Sequence, residues 1–336
     1  MQKSLDQKLE RIRNDSSVGD FILADAKDGD MGFGIAAGGV NTADDCERFP
    51  FRSIDQYRQA MREITEQGLV DIMLMSASTS EQLTIVERLF EKAAVTPAVR
   101  ANDTSDIWLG LSGDYKNQPS LSFRSATIDQ IQSAKAQCSG EERQLGADLG
   151  LYSITFNNDA QIDREALIAY REFRIEAETK GFRHFLEVFV PNAPGERAPA
   201  DVGRYVNDCI ARALAGVPSA SRPLFLKMPY FGPAAMEQLV NYDSSLVVGI
   251  LGGPSGTTHD AFRMLWEAKK YGARAALFGR KINNSEDQLS MVRILRALAD
   301  GNAEPEEAVR EYHGHLQQQG IQPQRTLQDD LQLTQV

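Results

Sequence analysis

Eight short apolar runs recur along this chain with helical patterns between them, and that alternation constrains the fold more than any other feature. The runs are Phe21–Ala24, Val70–Met75, Pro97–Arg100, Leu149–Phe156, Phe185–Val190, Leu224–Met228, Leu246–Leu251 and Ala275–Phe278. Between them, stretches such as Ile54–Glu66, Glu81–Ala93 and Arg164–Lys180 carry apolar residues at helical spacing. Strands that alternate with helices imply a parallel sheet, and eight of them predict closure into a (β/α)8 TIM barrel. An open doubly wound sheet is the alternative, because periodicity does not reveal closure. A length of 336 residues with 42% hydrophobic content suits one barrel with insertions.

No Pro- or Ser-rich linker divides the chain, so the expected organisation is a short N-terminal helix (1–17), the barrel (18–316) and a polar tail (317–336). Leu5, Leu9 and Ile12 form an apolar stripe that would close the bottom of the barrel. Two insertions, Gly32–Phe51 and Asn102–Ser122, follow early strands and would lie over the C-terminal face as lids, specificity loops or subunit contacts. A homo-oligomer is expected. The Gln- and Leu-rich tail carries no assigned chemistry.

The net charge of −11 leaves no basic stripe to neutralise a phosphate backbone, which argues against nucleic acid as a partner. No apolar run approaches a membrane span, and Met1 to Ser17 lacks the apolar core of a signal peptide. Cys46, Cys138 and Cys209 are odd in number and widely spaced, as expected for reduced thiols. The expectation is a soluble cytoplasmic protein with no membrane partner.

Charged residues at the ends of apolar runs are the candidate functional groups. Lys227 stands in Leu224-Phe225-Leu226-Lys227-Met228. Burial disfavours the ammonium form, so a lysine there becomes a nucleophilic amine able to form a Schiff base with a carbonyl. The bland reading is a lysine at a strand end that reaches into water or pairs with a carboxylate. Glu187 in Phe185-Leu186-Glu187-Val188-Phe189 needs a partner among its apolar neighbours, either in catalysis or as an ion pair with a neighbouring strand. Asp25, Lys27 and Asp28 follow the first run, and Arg100 ends the third. In a barrel these groups would face one pocket.

The last two strands end in glycine turns: Gly252-Gly253-Pro254-Ser255-Gly256, then Gly279-Arg280. Lys227 lies 25 residues before Gly252, and Gly252 lies 27 before Gly279, the repeat of a strand-helix unit. A helix between them opens at Thr257-Thr258-His259-Asp260, and a second is expected to open with a capping box at Ser285-Glu286-Asp287-Gln288. Backbone N–H groups in such turns bind phosphate, which makes Gly252, Gly253, Ser255, Gly279 and Arg280 candidates. A metal site would need clustered imidazoles. The chain has only His184, His259, His313 and His315, and the last two are spaced wrongly for one helical face, so no metal or other cofactor is expected. No Gly-x-Ser-x-Gly nucleophile motif is present.

With the ordered series Leu226-Lys227-Met228, Leu251-Gly252-Gly253-Pro254 and Phe278-Gly279-Arg280, and with Gly146-Ala147-Asp148 through Glu187 before it, the chain resembles the class I, Schiff-base aldolases of the tagatose-bisphosphate, archaeal-type fructose-bisphosphate and deoxyribose-phosphate group. The resemblance runs from about Phe21 to Asp300. It implies that Lys227 forms the imine, that Asp25 or Asp28 is the strand-one acid, that Glu187 stands near the reacting hydroxyl, and that the glycine turns hold a sugar phosphate. The tagatose type carries a further lysine in strand four, where Leu149-Gly150-Leu151-Tyr152 has none. The expected activity is metal-independent carbon–carbon bond cleavage or formation in a phosphorylated keto sugar. A phosphosugar isomerase or epimerase and a non-catalytic phosphosugar-binding protein are the alternatives.

Overall fold

The structure, a computed structural model, describes residues 2–15, 17–41, 46–108, 112–253 and 256–334. Eight parallel strands close into a barrel. They are β1 (Ile22–Lys27), β2 (Ile72–Met75), β3 (Thr96–Arg100), β4 (Leu149–Thr155), β5 (Arg183–Phe189), β6 (Leu226–Met228), β7 (Val248–Leu251) and β8 (Ala275–Phe278). Each pairs with its sequence neighbours, and β1 closes the ring on β8 through Ile22 opposite Ala275 and Asp25 opposite Phe278. The open doubly wound alternative is thereby excluded.

Alternation along each strand divides the core in two. Ile22, Ala24, Ile72, Leu74, Ala98, Leu149, Leu151, Phe185, Phe225 and Leu277 fill the barrel interior, together with Leu5, Leu9 and Ile12 of the helix Ser4–Asn14. Leu23, Met73, Met75, Val99, Tyr152, Leu186, Leu226, Val248 and Phe278 point the other way, into the surrounding helices. The N-terminal helix therefore packs on the interior cluster, as its apolar stripe predicts.

Two expected helices are displaced. The pattern over Glu81–Ala93 begins earlier, with Ser76 capping Ala77–Ser80, and passes into a wider π-turn over Glu81–Val86; Arg88, at φ 55°, cannot continue it. The capping box expected at Ser285 is not formed. Ser285 turns its hydroxyl back to the Ile282 carbonyl, and Asp287 caps the helix Gln288–Asp300 through Ser290 N–H instead. The helix Thr258–Lys270 opens as the sequence predicts, with a capping box between Thr257 and Asp260. The Asn102–Ser122 insertion carries a small antiparallel pair, Asp103–Thr104 with Ser122–Phe123.

Candidate active site at the C-terminal end of the barrel

A cavity of about 380 Å³ opens where the strands end. Asp28, Arg100, Glu187 and Lys227 line it, and Gly252, Gly253, Gly279 and Arg280 stand at its rim. Strand register explains the convergence. Glu187 and Lys227 are Cα partners on β5 and β6, and Ser153 is the partner of Glu187 on β4. Each sits at an inward position of its strand, one step beyond the interior residues Leu151, Phe185 and Phe225. Gly249 is the partner of Lys227 on β7; a Cβ there would come within 2.6 Å of the Leu226 carbonyl and 2.8 Å of the Ala275 side chain.

The charged groups form one chain of contacts. Lys227 Nζ lies 2.5 Å from Glu187 Oε1. The other carboxylate oxygen, Oε2, accepts from Ser153 Oγ at 2.6 Å and from an Arg100 Nη at 3.2 Å. Arg100 also donates to Ser153 Oγ at 3.0 Å and, through Nε, to Asp28 at 2.5 Å. Burial alone would lift the Asp28 carboxyl, but Arg100 and then Lys227 hold it below the ordinary aspartate range. The same carboxylates raise the Arg100 guanidinium against the penalty of its own burial. Two cations and two carboxylates are thus fixed in a nearly dry site. The lysine lies against the Glu187 carboxylate and faces a space large enough for a small substrate.

Not every sequence candidate reaches this cavity. Asp25 and Lys27 have the same strand parity as Leu23 and point outward into the helix layer, so their expected place in the pocket is corrected. Both are completely buried. They pair at 3.2 Å, and Lys27 also donates to Gln288 Oε1 at 2.9 Å. Burial pushes the Asp25 carboxyl up to about 6 despite the opposing pull of Lys27, and burial likewise lowers the Lys27 ammonium. Asp28, one residue further on, is the acid that strand one presents to the pocket. Ser255 lies outside the described residues.

The rim is built by glycines for steric reasons. A Cβ on Gly252 would enter the Phe278 ring, and one on Gly279 would come within 2.7 Å of the Ala26 carbonyl oxygen. Gly253 takes a φ of 61°, in the left-handed region that favours glycine. Arg280 begins a short helical turn after Gly279; its guanidinium has no hydrogen-bond or carboxylate partner among the described residues and lies 5.9 Å from the centre of the Phe33 ring. Burial lowers its pKa. A half-buried guanidinium with no carboxylate partner, at the rim of the cavity, is a candidate to hold an anionic group.

Sequence reasoning missed Ser153, Asp106, Ile107 and Lys116. Ser153 was accessible from alternation, as the next inward position after Leu149 and Leu151. The other three belong to the Asn102–Ser122 insertion, whose path over the mouth has no periodic signal. Among the described residues, no group of three or more His, Cys, Asp and Glu side chains is arranged to hold a metal ion, and no helix is long and apolar enough to cross a membrane.

The architecture is that of the solved Schiff-base aldolases. An archaeal fructose 1,6-bisphosphate aldolase superposes with a TM-score of 0.60 at 15% identity, over 88% of this chain and 99% of its own. A Schiff-base-forming fructose-1,6-bisphosphate aldolase gives 0.59 at 14% identity, over 87% and 99%. A protein from Corynebacterium glutamicum gives 0.58 at 17%, over 89% and 94%. No protein-family profile and no curated protein matches the sequence. At these identities the similarity is one of fold.

Proposed function

We propose that the protein is a lysine-dependent aldolase that cleaves or forms a carbon–carbon bond in a phosphorylated keto sugar without a metal. The observation that carries this reading is the Lys227–Glu187 contact of 2.5 Å inside the barrel mouth, opposite an unpaired Arg280 on a glycine rim.

Glu187 takes the ammonium proton, and the Lys227 amine adds to the substrate ketone carbon. The carbinolamine then loses water as Glu187 returns the proton to its hydroxyl, giving an iminium. Glu187, again a carboxylate, removes the proton from the hydroxyl beyond the bond to be broken. That bond's electron pair moves toward the iminium nitrogen, an aldehyde leaves, and an enamine remains. Protonation at carbon and addition of water release the shorter ketone and regenerate Lys227. Arg100 and Ser153 orient Glu187 throughout, and Asp28 holds Arg100. The rim binds the phosphate, which fixes the carbonyl against the amine.

Borohydride reduction in the presence of a ketose phosphate tests this. The expected outcome is a covalent adduct on the peptide containing Lys227, absent from Lys227→Met, with turnover in that variant reduced at least about a thousandfold and activity unaffected by a chelator. An adduct on another lysine, or substantial turnover by Lys227→Met, overturns the imine role; the second result is what an isomerase using the lysine only as an electrostatic aid would give.

A further inference from the structure

A second cavity, of about 800 Å³, lies at the opposite end of the barrel. It is bounded by the end of the N-terminal helix at Ile12 and Arg13, the last turns of the helix Ala160–Thr179, the loop 219–225 that leads into β6, and the starts of β5 and β7. Its charge opposes that of the chain. The whole sequence has 47 acidic and 36 basic residues, yet five arginines and a single carboxylate, Glu178, line this cavity.

Arg183 pairs with Asp6 and Asp148, Arg222 pairs with Asp243, and Arg274 donates to the Val18 carbonyl at 2.8 Å. Among the described residues Arg13 donates only to the Leu224 carbonyl, at 3.3 Å. Arg174 lies 5.0 Å from the centre of the Tyr170 ring, and its buried Nε has no hydrogen-bond partner among the described residues. An unsatisfied buried guanidinium N–H is costly. The neighbouring His184 adds no positive charge. Its Nε2 is bonded to the Tyr170 hydroxyl at 2.9 Å, and burial, aided by Arg174, holds its pKa down to about 3, so the ring is neutral.

Phe182, Pro223, Phe225, Val240 and Leu246 give the same space an apolar side, and Ser219, Ser221, Ser244 and Ser245 also line it. Guanidinium forks match phosphate oxygens bidentately, whereas an apolar wall suits a planar ring. The volume is in the range of sites for small organic ligands and far exceeds what a bare phosphate fills. We propose that this cavity binds an organic phosphate of nucleotide size, with its phosphates on Arg174 and Arg13 and its ring against the apolar wall. The proposal is independent of the chemistry at the other end of the barrel.

Calorimetric titration of the full chain with ADP tests it, with adenosine and pyrophosphate as the separate halves. ADP is expected to bind one saturable site at least about tenfold more tightly than either half. Arg174→Ala and Arg13→Ala should each weaken ADP at least about tenfold, while Arg280→Ala leaves its affinity unchanged. Arg13 lies on an exposed helix end, so its variant keeps the test decisive if Arg174→Ala is poorly folded. Absence of saturable ADP binding overturns the proposal, as does binding that survives both cavity substitutions or is lost only in Arg280→Ala. In those cases Arg174 only packs on Tyr170 and Arg13 only serves the C-terminal end of its helix.

Discussion

A one-residue difference in strand parity separates two kinds of buried charge on β1. Asp28 looks into the barrel and joins the network around Glu187, whereas Asp25 and Lys27 look outward and have mainly each other. A buried pair gains little over apolar replacements but leaves a costly orphan when one member is removed. Lys27→Met, which leaves a buried carboxylate without its cation, should therefore cost about 3–5 kcal/mol near neutral pH, and the double variant with Asp25→Asn less, as read from urea unfolding. The pH dependence has a definite sign. With its pKa raised from 3.8 to about 6, folded Asp25 keeps a proton that the unfolded chain has released. Its contribution to stability is full below pH 3.8 and is lost as pH rises through about 6. The stability of the native sequence relative to Asp25→Asn should accordingly fall between about pH 4 and pH 7; a flat difference would mean that the carboxyl is not held in a dry environment.

At the scale of elements, the order of strands and the glycine turns after β7 and β8 were legible because each strand is a compact apolar run and each turn has little room for a side chain. Inward and outward faces were not legible on β1. In Ile22-Leu23-Ala24-Asp25-Ala26-Lys27-Asp28 both faces are apolar at first and charged later, so only packing against β2, β8 and the helices sets the parity. Glu187 and Lys227 were easier, since each interrupts an otherwise apolar strand. The cavity-lining residues Asp106 and Lys116 of the insertion had no pattern to betray them. The turn after β8 can be tested directly. Its glycine faces the backbone of β1, which cannot swing aside as a side chain would, so Gly279→Ala should cost about 1–3 kcal/mol in urea unfolding. An unchanged midpoint would show that β1 and β8 separate easily at their C-terminal ends.

Across the whole molecule, the two cavities described lie at opposite ends of one barrel. The C-terminal end has the paired lysine and the glycine rim, and there Arg280→Ala should raise KM for a phosphorylated ketose roughly ten- to a hundredfold while sparing a dephosphorylated analogue. Equal losses on both substrates would assign Arg280 to packing on Phe33. The ring that joins the two ends is shut by strands from opposite ends of the described chain, β1 and β8. Seen during synthesis, this closure is a delay. The first strand leaves the ribosome long before its second neighbour exists, and until β8 follows, the growing sheet has two raw edges, on β1 and on the newest strand. Such edges attract foreign strands, and pairings between distant segments form slowly. The interval before the last strand emerges is therefore when this protein is most exposed to aggregation and has most need of a chaperone.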